Sequence, residues 1–302
     1  VAQELINKVK SKCCGIKGDM NKLVISLILS TIAIFTAGCS DNENENEPSV
    51  TPFSLEKNYY EIRLKHNNTD ISVMNGSGDI SMIIGDENIL KAVYVRDNSD
   101  REKDYGQKGH INLYGLKKGR TTLTITDNVT KETENVEVKV TDCYLAYYIA
   151  DSNYPGMEVG KVLFFVNNSE KECYIFVKDN IQGNLYKQPI AKGSYEFYVK
   201  PTDDTTSQLK GIPCLHLNIT DNDATTASDD FQMNLQGEHA TSSTALDCIQ
   251  SYLDVNWEKL IDEVHTRSIP PTDMTMTLTV PDTDYQIIGI LSTASIPEHI
   301  LD

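Results

Sequence analysis

Through most of the chain beyond residue 52, apolar residues recur at every second position, and this period constrains the fold more than any other feature. Val136, Val138 and Val140 face one way, while Asn135, Glu137, Lys139 and Thr141 face the other. Leu123 and Ile125 alternate with Thr122, Thr124 and Thr126, and Met274, Met276, Leu278 and Val280 alternate with Thr275, Thr277 and Thr279. Successive side chains on an extended backbone point to opposite sides, so a period of two marks a strand with one buried face. The chain is therefore expected to be mostly β.

Residues 52–142 hold about seven such runs, near 59–65, 69–74, 79–84, 89–95, 109–114, 120–126 and 134–141. Turn residues separate them, as in Asn75-Gly76-Ser77-Gly78 and Asp127-Asn128. That number of short strands in this length has the rhythm of an Ig-like β-sandwich, without its Cys-Trp-Cys hallmark. The stretches Ile71–Ile80, Ile111–Gly119 and Thr121–Asp127 resemble the bacterial Ig-like domains of surface proteins, with a glycine after an Ile-rich strand and a Thr-rich strand closing in Thr-Asp. The resemblance implies a spacer or adhesion module and brings no catalytic residues.

Residues 143–302 read as a second antiparallel β-rich domain, with strands near 143–150, 159–166, 172–178, 194–200, 213–220, 230–235, 274–280 and 285–291. One amphipathic helix interrupts them near 244–266. Thr244 with Asp247 reads as its capped start, and Leu246, Ile249, Leu253, Trp257, Leu260 and Val264 recur at helical spacing. Asp254, Glu258 and Asp262 on its other side are read as a solvated face. The domain is dense in aromatics, and neighbours such as Tyr147 and Tyr148, or Phe197 and Tyr198, must face opposite sides of a strand. The outward members either form an exposed platform suited to sugar rings or are covered by the helix or the first domain. Tyr148, Tyr154, Phe165 and Tyr198 are the candidate ligand-binding residues, with Asp151, Asn153 or Asn184 supplying hydrogen bonds.

Recognisable catalytic signatures are missing: no H-E-x-x-H, G-x-S-x-G, P-loop or G-x-G-x-x-G occurs. Ser54-Leu-Glu-Lys57 matches S-x-x-K by chance, without its companion motifs. Cys214 and His216 offer half of a zinc site or, with Leu215, Leu217 and Ile219 facing the other way, are outward bystanders. The run Asp221–Asp230 is rich in oxygens but has Thr226 where the calcium loop of an EF-hand needs Gly, and it reads as a polar loop. No metal, cofactor or catalytic residue is assigned, and the expectation is a non-enzyme.

The N-terminal part has a different character. Met20-Asn21-Lys22 leads into an apolar run, Leu23–Phe35, which is shorter than the roughly 20 residues needed to cross a bilayer. That length suits a secretory signal. Thr36-Ala37-Gly38-Cys39 then resembles the lipobox of bacterial lipoproteins, departing from it at Thr36, where Leu is more usual. The resemblance implies cleavage before Cys39, acylation of that cysteine and a membrane as the chain's first partner. Residues 1–38 are then removed, the first 19 lying either upstream of the true start or in an N-terminal extension.

Residues 39–51 form an acidic linker, Ser40-Asp-Asn-Glu-Asn-Glu-Asn-Glu-Pro-Ser49, too polar to bury a core. Acidic residues directly after the cysteine also resemble the export signal of Bacteroidota-type surface lipoproteins, which implies display on the outer membrane, facing the exterior. Net charge is −17 overall, and the segment before Cys39 has five Lys against Glu4 and Asp19, so the remainder is more acidic still. Such a surface repels phosphate backbones and excludes nucleic acid as a partner. An extracellular glycan or protein is the expected one. Cys143, Cys173, Cys214 and Cys248 remain beyond the anchor, either as free thiols or in one of three pairings.

Overall fold

Among the described residues, eight strands make up the first half: β1 (Ser54–Leu55), β2 (Tyr59–Arg63), β3 (Asp70–Met74), β4 (Ile80–Ile84), β5 (Leu90–Arg96), β6 (Gln107–Gly115), β7 (Gly119–Asp127) and β8 (Thr133–Thr141). They form two four-stranded sheets ordered β1-β3-β6-β5 and β2-β8-β7-β4. Every pairing is antiparallel except β2 beside β8. The computed structural model describes residues 51–66, 69–97, 105–179, 184–202, 211–235, 244–257 and 274–301. Cys39, the apolar run before it and the linker up to residue 50 lie outside the described residues. Residues Val50–Asp302 form one unit.

The period-two pattern explains the sandwich core. Ile71, Val73, Ile111 and Leu113 of one sheet meet Leu123, Ile125, Val136 and Val138 of the other, all at most 1% exposed. Each contributes roughly 1.5–3 kcal/mol by leaving water. Asp127, at the end of β7, is a buried carboxylate in this half. Its oxygens accept from the Ser77 N–H and hydroxyl and from the N–H groups of Val129 and Thr130. Burial works against the charge, yet these hydrogen bonds hold the carboxyl below its usual range.

The second half is a closed barrel of β9 (Tyr144–Ser152), β10 (Lys161–Val166), β11 (Glu172–Val177), β12 (Ala191–Pro201), β13 (Gly211–Asp221), β14 (Thr226–Leu235), β15 (Thr275–Thr279) and β16 (Gln286–Ser292). Each strand pairs antiparallel with the next, and β16 returns to β9. Closure is built at that last seam. Tyr147 points inward and its hydroxyl donates to the carbonyls of Met276 and Ile287, at 2.7 and 3.1 Å. Gly289, beside a register shift, leaves room for this ring: a Cβ there would lie 2.5 Å from Tyr147 Cζ.

Leu145, Leu163, Phe165, Ile175, Leu215, Leu217, Phe231, Met276 and Leu278 fill the interior. The outer wall of β12–β14 bears Glu196, His216, Asn218, Ser228 and Asp230. On β12–β14 the inside is apolar and the outside polar, the inverse of the pattern on membrane-spanning strands.

Among the described residues there is one helix, α1 (Thr244–Leu253), which lies between β14 and β15 in the sequence. It is shorter than the expected 244–266. Asp254 takes φ 55°, outside the right-handed helical region, and its N–H closes on the Gln250 carbonyl at 3.0 Å. Trp257 therefore does not continue the helix but folds back along it, its Nε1–H donating to the Leu246 carbonyl at 3.0 Å. The Thr244 side chain, read as the cap, and Glu258 and Asp262 of the acidic face lie outside the described residues. Ala245, Leu246, Ile249, Leu253 and Trp257 join the interior cluster and close the barrel end from which β9 starts.

The second apolar face of β9–β11 is covered mainly by the C-terminal segment, with Arg63 of the sandwich over the Tyr144 ring. Tyr144, Phe164 and Phe176 point outward there and are buried under Ile296 and Leu301 of the C-terminal segment. That segment also reaches the sandwich, where Glu298 pairs with Lys57 at 2.6 Å and His299 stacks on Tyr59 with centroids 4.9 Å apart.

Candidate functional site

With one barrel end closed by α1, the opposite end is bounded by the 153–160 connection, residues 184–190, and the turns 222–225 and 280–285. A cavity of about 430 Å³ opens there, within the range of small-molecule sites. Its wall is mostly apolar: Met157, Ile175, Ile190, Leu217, Ile219 and Phe231. Ile175, Leu217, Ile219 and Phe231 are inward positions of β11, β13 and β14 as the strands run up to the rim, where α1 no longer fills the space, and Met157 and Ile190 come from the connections before β10 and β12.

The polar groups in this wall are few. Asp229 lies on β14 two residues before Phe231, so it shares the inward face, and its register partner is Leu217. It is half-buried, and the Tyr154 hydroxyl donates to its Oδ2. Burial first, and then the Asp229 carboxylate, raise the Tyr154 hydroxyl above its ordinary pKa. The Tyr154 ring packs edge-on against Phe231 and Tyr285, at 5.2 and 5.8 Å between centroids. Lys161 lines the cavity too, but its ammonium is held by Glu158 at 2.5 Å and by the Gly156 carbonyl at 2.9 Å. Asp221 at the rim accepts from the N–H groups of Asp223 and Thr225 at 3.0 and 2.8 Å, which fixes the β13–β14 turn.

The four candidate residues do not form the expected platform. Phe165 is fully buried inside the barrel, edge-on to Tyr195 and Phe197, because it shares the inward parity of Leu163. Tyr148 lies on the outer wall of β9 beside the cluster under the C-terminal segment, with Lys178 Nζ 5.9 Å from its ring. Tyr198 lies on the outer wall of β12, and its hydroxyl donates to Asp230 at 3.0 Å. Only Tyr154 reaches the cavity. Asn153 bonds to the β15–β16 turn and Gln286.

Sequence reasoning missed Asp229. The polar run 221–230 reads as a loop, whereas the turn is only 222–225 and β14 begins at Thr226. The signal was parity: Ala227 and Asp229 keep the phase of Phe231 and Met233.

Near Tyr198, His216 Nδ1 lies 3.0 Å from Asp230 Oδ1 and Ser228 Oγ is 3.5 Å from Nε2. The order of groups matches a hydrolytic triad, but it stands on an open wall whose backbone N–H groups are engaged in the sheet, with no donor pair set for an oxyanion. Cys214 and His216 both face outward, opposite Leu215, Leu217 and Ile219, and no metal-binding group of His, Cys, Asp and Glu forms among the described residues. Cys143, Cys173, Cys214 and Cys248 are all free. Burial pushes the thiols of Cys143 and Cys248 up to about 11 and that of Cys173 to about 12, so each stays protonated and unreactive at neutral pH.

No protein-family model matches the sequence, and no curated protein does. Among solved structures, domains 5–6 of the S-layer protein SbsC are 12% identical with a TM-score of 0.24, over 61% of this chain and 96% of theirs. InvD of Yersinia pseudotuberculosis is 12% identical with a TM-score of 0.21, over 60% of this chain and 67% of its own. Human protocadherin-24 EC1-2 is 10% identical with a TM-score of 0.20, over 60% and 93%. Likeness at this level carries no argument about fold or function.

Proposed function

We propose that this chain is a non-catalytic binding protein, held at the cell surface by a lipid on Cys39, whose barrel takes a small apolar or amphiphilic ligand. The observation that carries the reading is the cavity: eight strands enclose space for one small ligand when the interior is not wholly packed. The lipobox resemblance at Cys39 supports the anchor, and about thirteen linker residues span roughly 43 Å at full extension. The sandwich meets the barrel at its closed end, so the cavity faces away from the part of the chain that follows the linker. A sugar platform loses its motivation once Phe165 is interior.

The test uses the neutral fluorophore N-phenyl-1-naphthylamine on the chain from Ser40 onward. Saturable one-to-one enhancement is expected, lost in Ala227→Trp, which fills the cavity mouth. Enhancement that never saturates, or that survives this variant, overturns the reading. Membrane fractionation is expected to be lost in Cys39→Ala, and unchanged fractionation removes the anchor.

A second reading, a structural or fimbria-like adhesion subunit, has one observation in its favour. β5 is a sheet edge, and it exposes Val93 and Val95 by 37% and 40%. Concentration-dependent sedimentation abolished by Val95→Lys is its expected signature.

A further inference from the structure

The charge balance of the cavity wall is unequal. Two carboxylates, Asp221 and Asp229, and one ammonium, Lys161, belong to the wall, and that ammonium is neutralised by Glu158 outside it. The wall is therefore net negative while its surface is mostly apolar. The two carboxylates also differ in their surroundings. Asp221 is exposed and spends Oδ1 on its own turn. Asp229 faces inward among apolar neighbours, its Oδ2 takes the Tyr154 hydroxyl, and Oδ1 has no partner among the described residues. A half-buried carboxylate with an open oxygen beside an apolar cavity attracts a cation more strongly than an exposed one, because less water screens it. The rings of Tyr154 and Phe231 line the same space, and aromatic rings attract the same kind of group.

The geometry points to a ligand class: a cationic amphiphile, whose amine or quaternary ammonium meets Asp229 and Tyr154 while its apolar body lies against Ile175, Leu217 and Ile219. This rests on the cavity reading above. A fatty acid or other anionic amphiphile is disfavoured by the same charges, since Lys161 is engaged with Glu158 and the Gly156 carbonyl. A neutral apolar ligand fits the space but leaves the carboxylate uncompensated as it displaces water.

Three probes of equal chain length separate these cases: decyltrimethylammonium, decanol and decanoate, each below its micellar concentration, titrated calorimetrically into the chain from Ser40 onward. The expected result is a dissociation constant for the cation at least tenfold below those of the other two, and a preference that shrinks as salt is raised from 20 to 500 mM. In Asp229→Asn the preference is expected to disappear. In Asp223→Asn, which removes the same charge from the nearby turn but not from the wall, it is expected to remain.

Equal affinities for the three probes, or a preference indifferent to salt, overturn the cationic assignment and leave the cavity standing. A preference lost equally in Asp223→Asn and Asp229→Asn overturns it too, by assigning the attraction to the acidic surface at large. If none of the probes binds, or if Ala227→Trp binds them as the unmodified chain does, the cavity reading itself fails. The salt series needs no variant, so the assignment stays testable should Asp229→Asn not fold.

Discussion

Arg63 joins the sandwich both to the barrel and to the C-terminal segment. It is 1% exposed, and its guanidinium donates to the carbonyls of Tyr144 at 3.0 Å and Thr293 at 2.5 Å. It also lies over the Tyr144 ring, 4.3 Å from the centroid. One side chain from β2 thus binds the first strand of the barrel and the start of the C-terminal segment. Two diverging donors and a flat face are properties of arginine and not of lysine. Arg63→Ala leaves two carbonyls without this donor, each costing about 1–3 kcal/mol, and removes the stacking as well. Urea denaturation is expected to report a loss of about 3–4 kcal/mol, with Arg63→Lys recovering less than half. A loss under 1 kcal/mol would mean that water reaches these carbonyls.

Among the elements, α1 and the turn after it decide whether the barrel is packed or hollow. Trp257 is 1% exposed and lies edge-on to Phe197 with centroids 6.2 Å apart, carrying the plug onto the interior aromatics. Trp257→Ala is expected to cost about 3–5 kcal/mol, as large-to-small changes of aromatic residues in cores do. Far-UV circular dichroism in urea measures this without the chain's single tryptophan. A shift below 1 kcal/mol would show that α1 closes the barrel without it. The strands were legible because alternation is local: Val136, Val138 and Val140 carry their own evidence. Closure was not, because the pairing of β16 with β9 joins residues about 140 apart, and no local pattern encodes it. The end of α1 was hidden because Trp257, Leu260 and Val264 continue the helical spacing, whereas Asp254 breaks it through its backbone. Asp229 was hidden for a related reason: composition read a polar loop where parity continued a strand. The aromatic pairs were read correctly as two-sided, yet the cover for the outer side came from residues 294–301, a segment without periodicity.

At the scale of the molecule, the sandwich and the barrel meet at a seam with a titratable group in it. His66 stacks on Tyr252 of α1 with centroids 3.6 Å apart and an interplanar angle of 8°, and its Nε2 lies 3.1 Å from the Ser251 carbonyl. Lys65 beside it pairs with Asp254 at 2.7 Å. Burial lowers the His66 pKa below its ordinary 6.5; the Ser251 carbonyl opposes this, Arg63 and Lys65 reinforce it, and Asp254 opposes it in part. In this window the unfolded chain binds the proton more readily than the folded one, so stability rises with pH. The contribution is complete above the unfolded value near 6.5 and is lost as the pH falls from there through the lower folded value. Urea midpoints measured from pH 7.5 to 5 are therefore expected to fall on acidification. His66→Phe keeps the ring on Tyr252 and removes the proton, so its midpoints are expected to fall less steeply over the same range. Carboxylates of the unfolded chain titrate near 4, below this window. A wild-type slope that His66→Phe leaves unchanged would place the pH response elsewhere than in the seam.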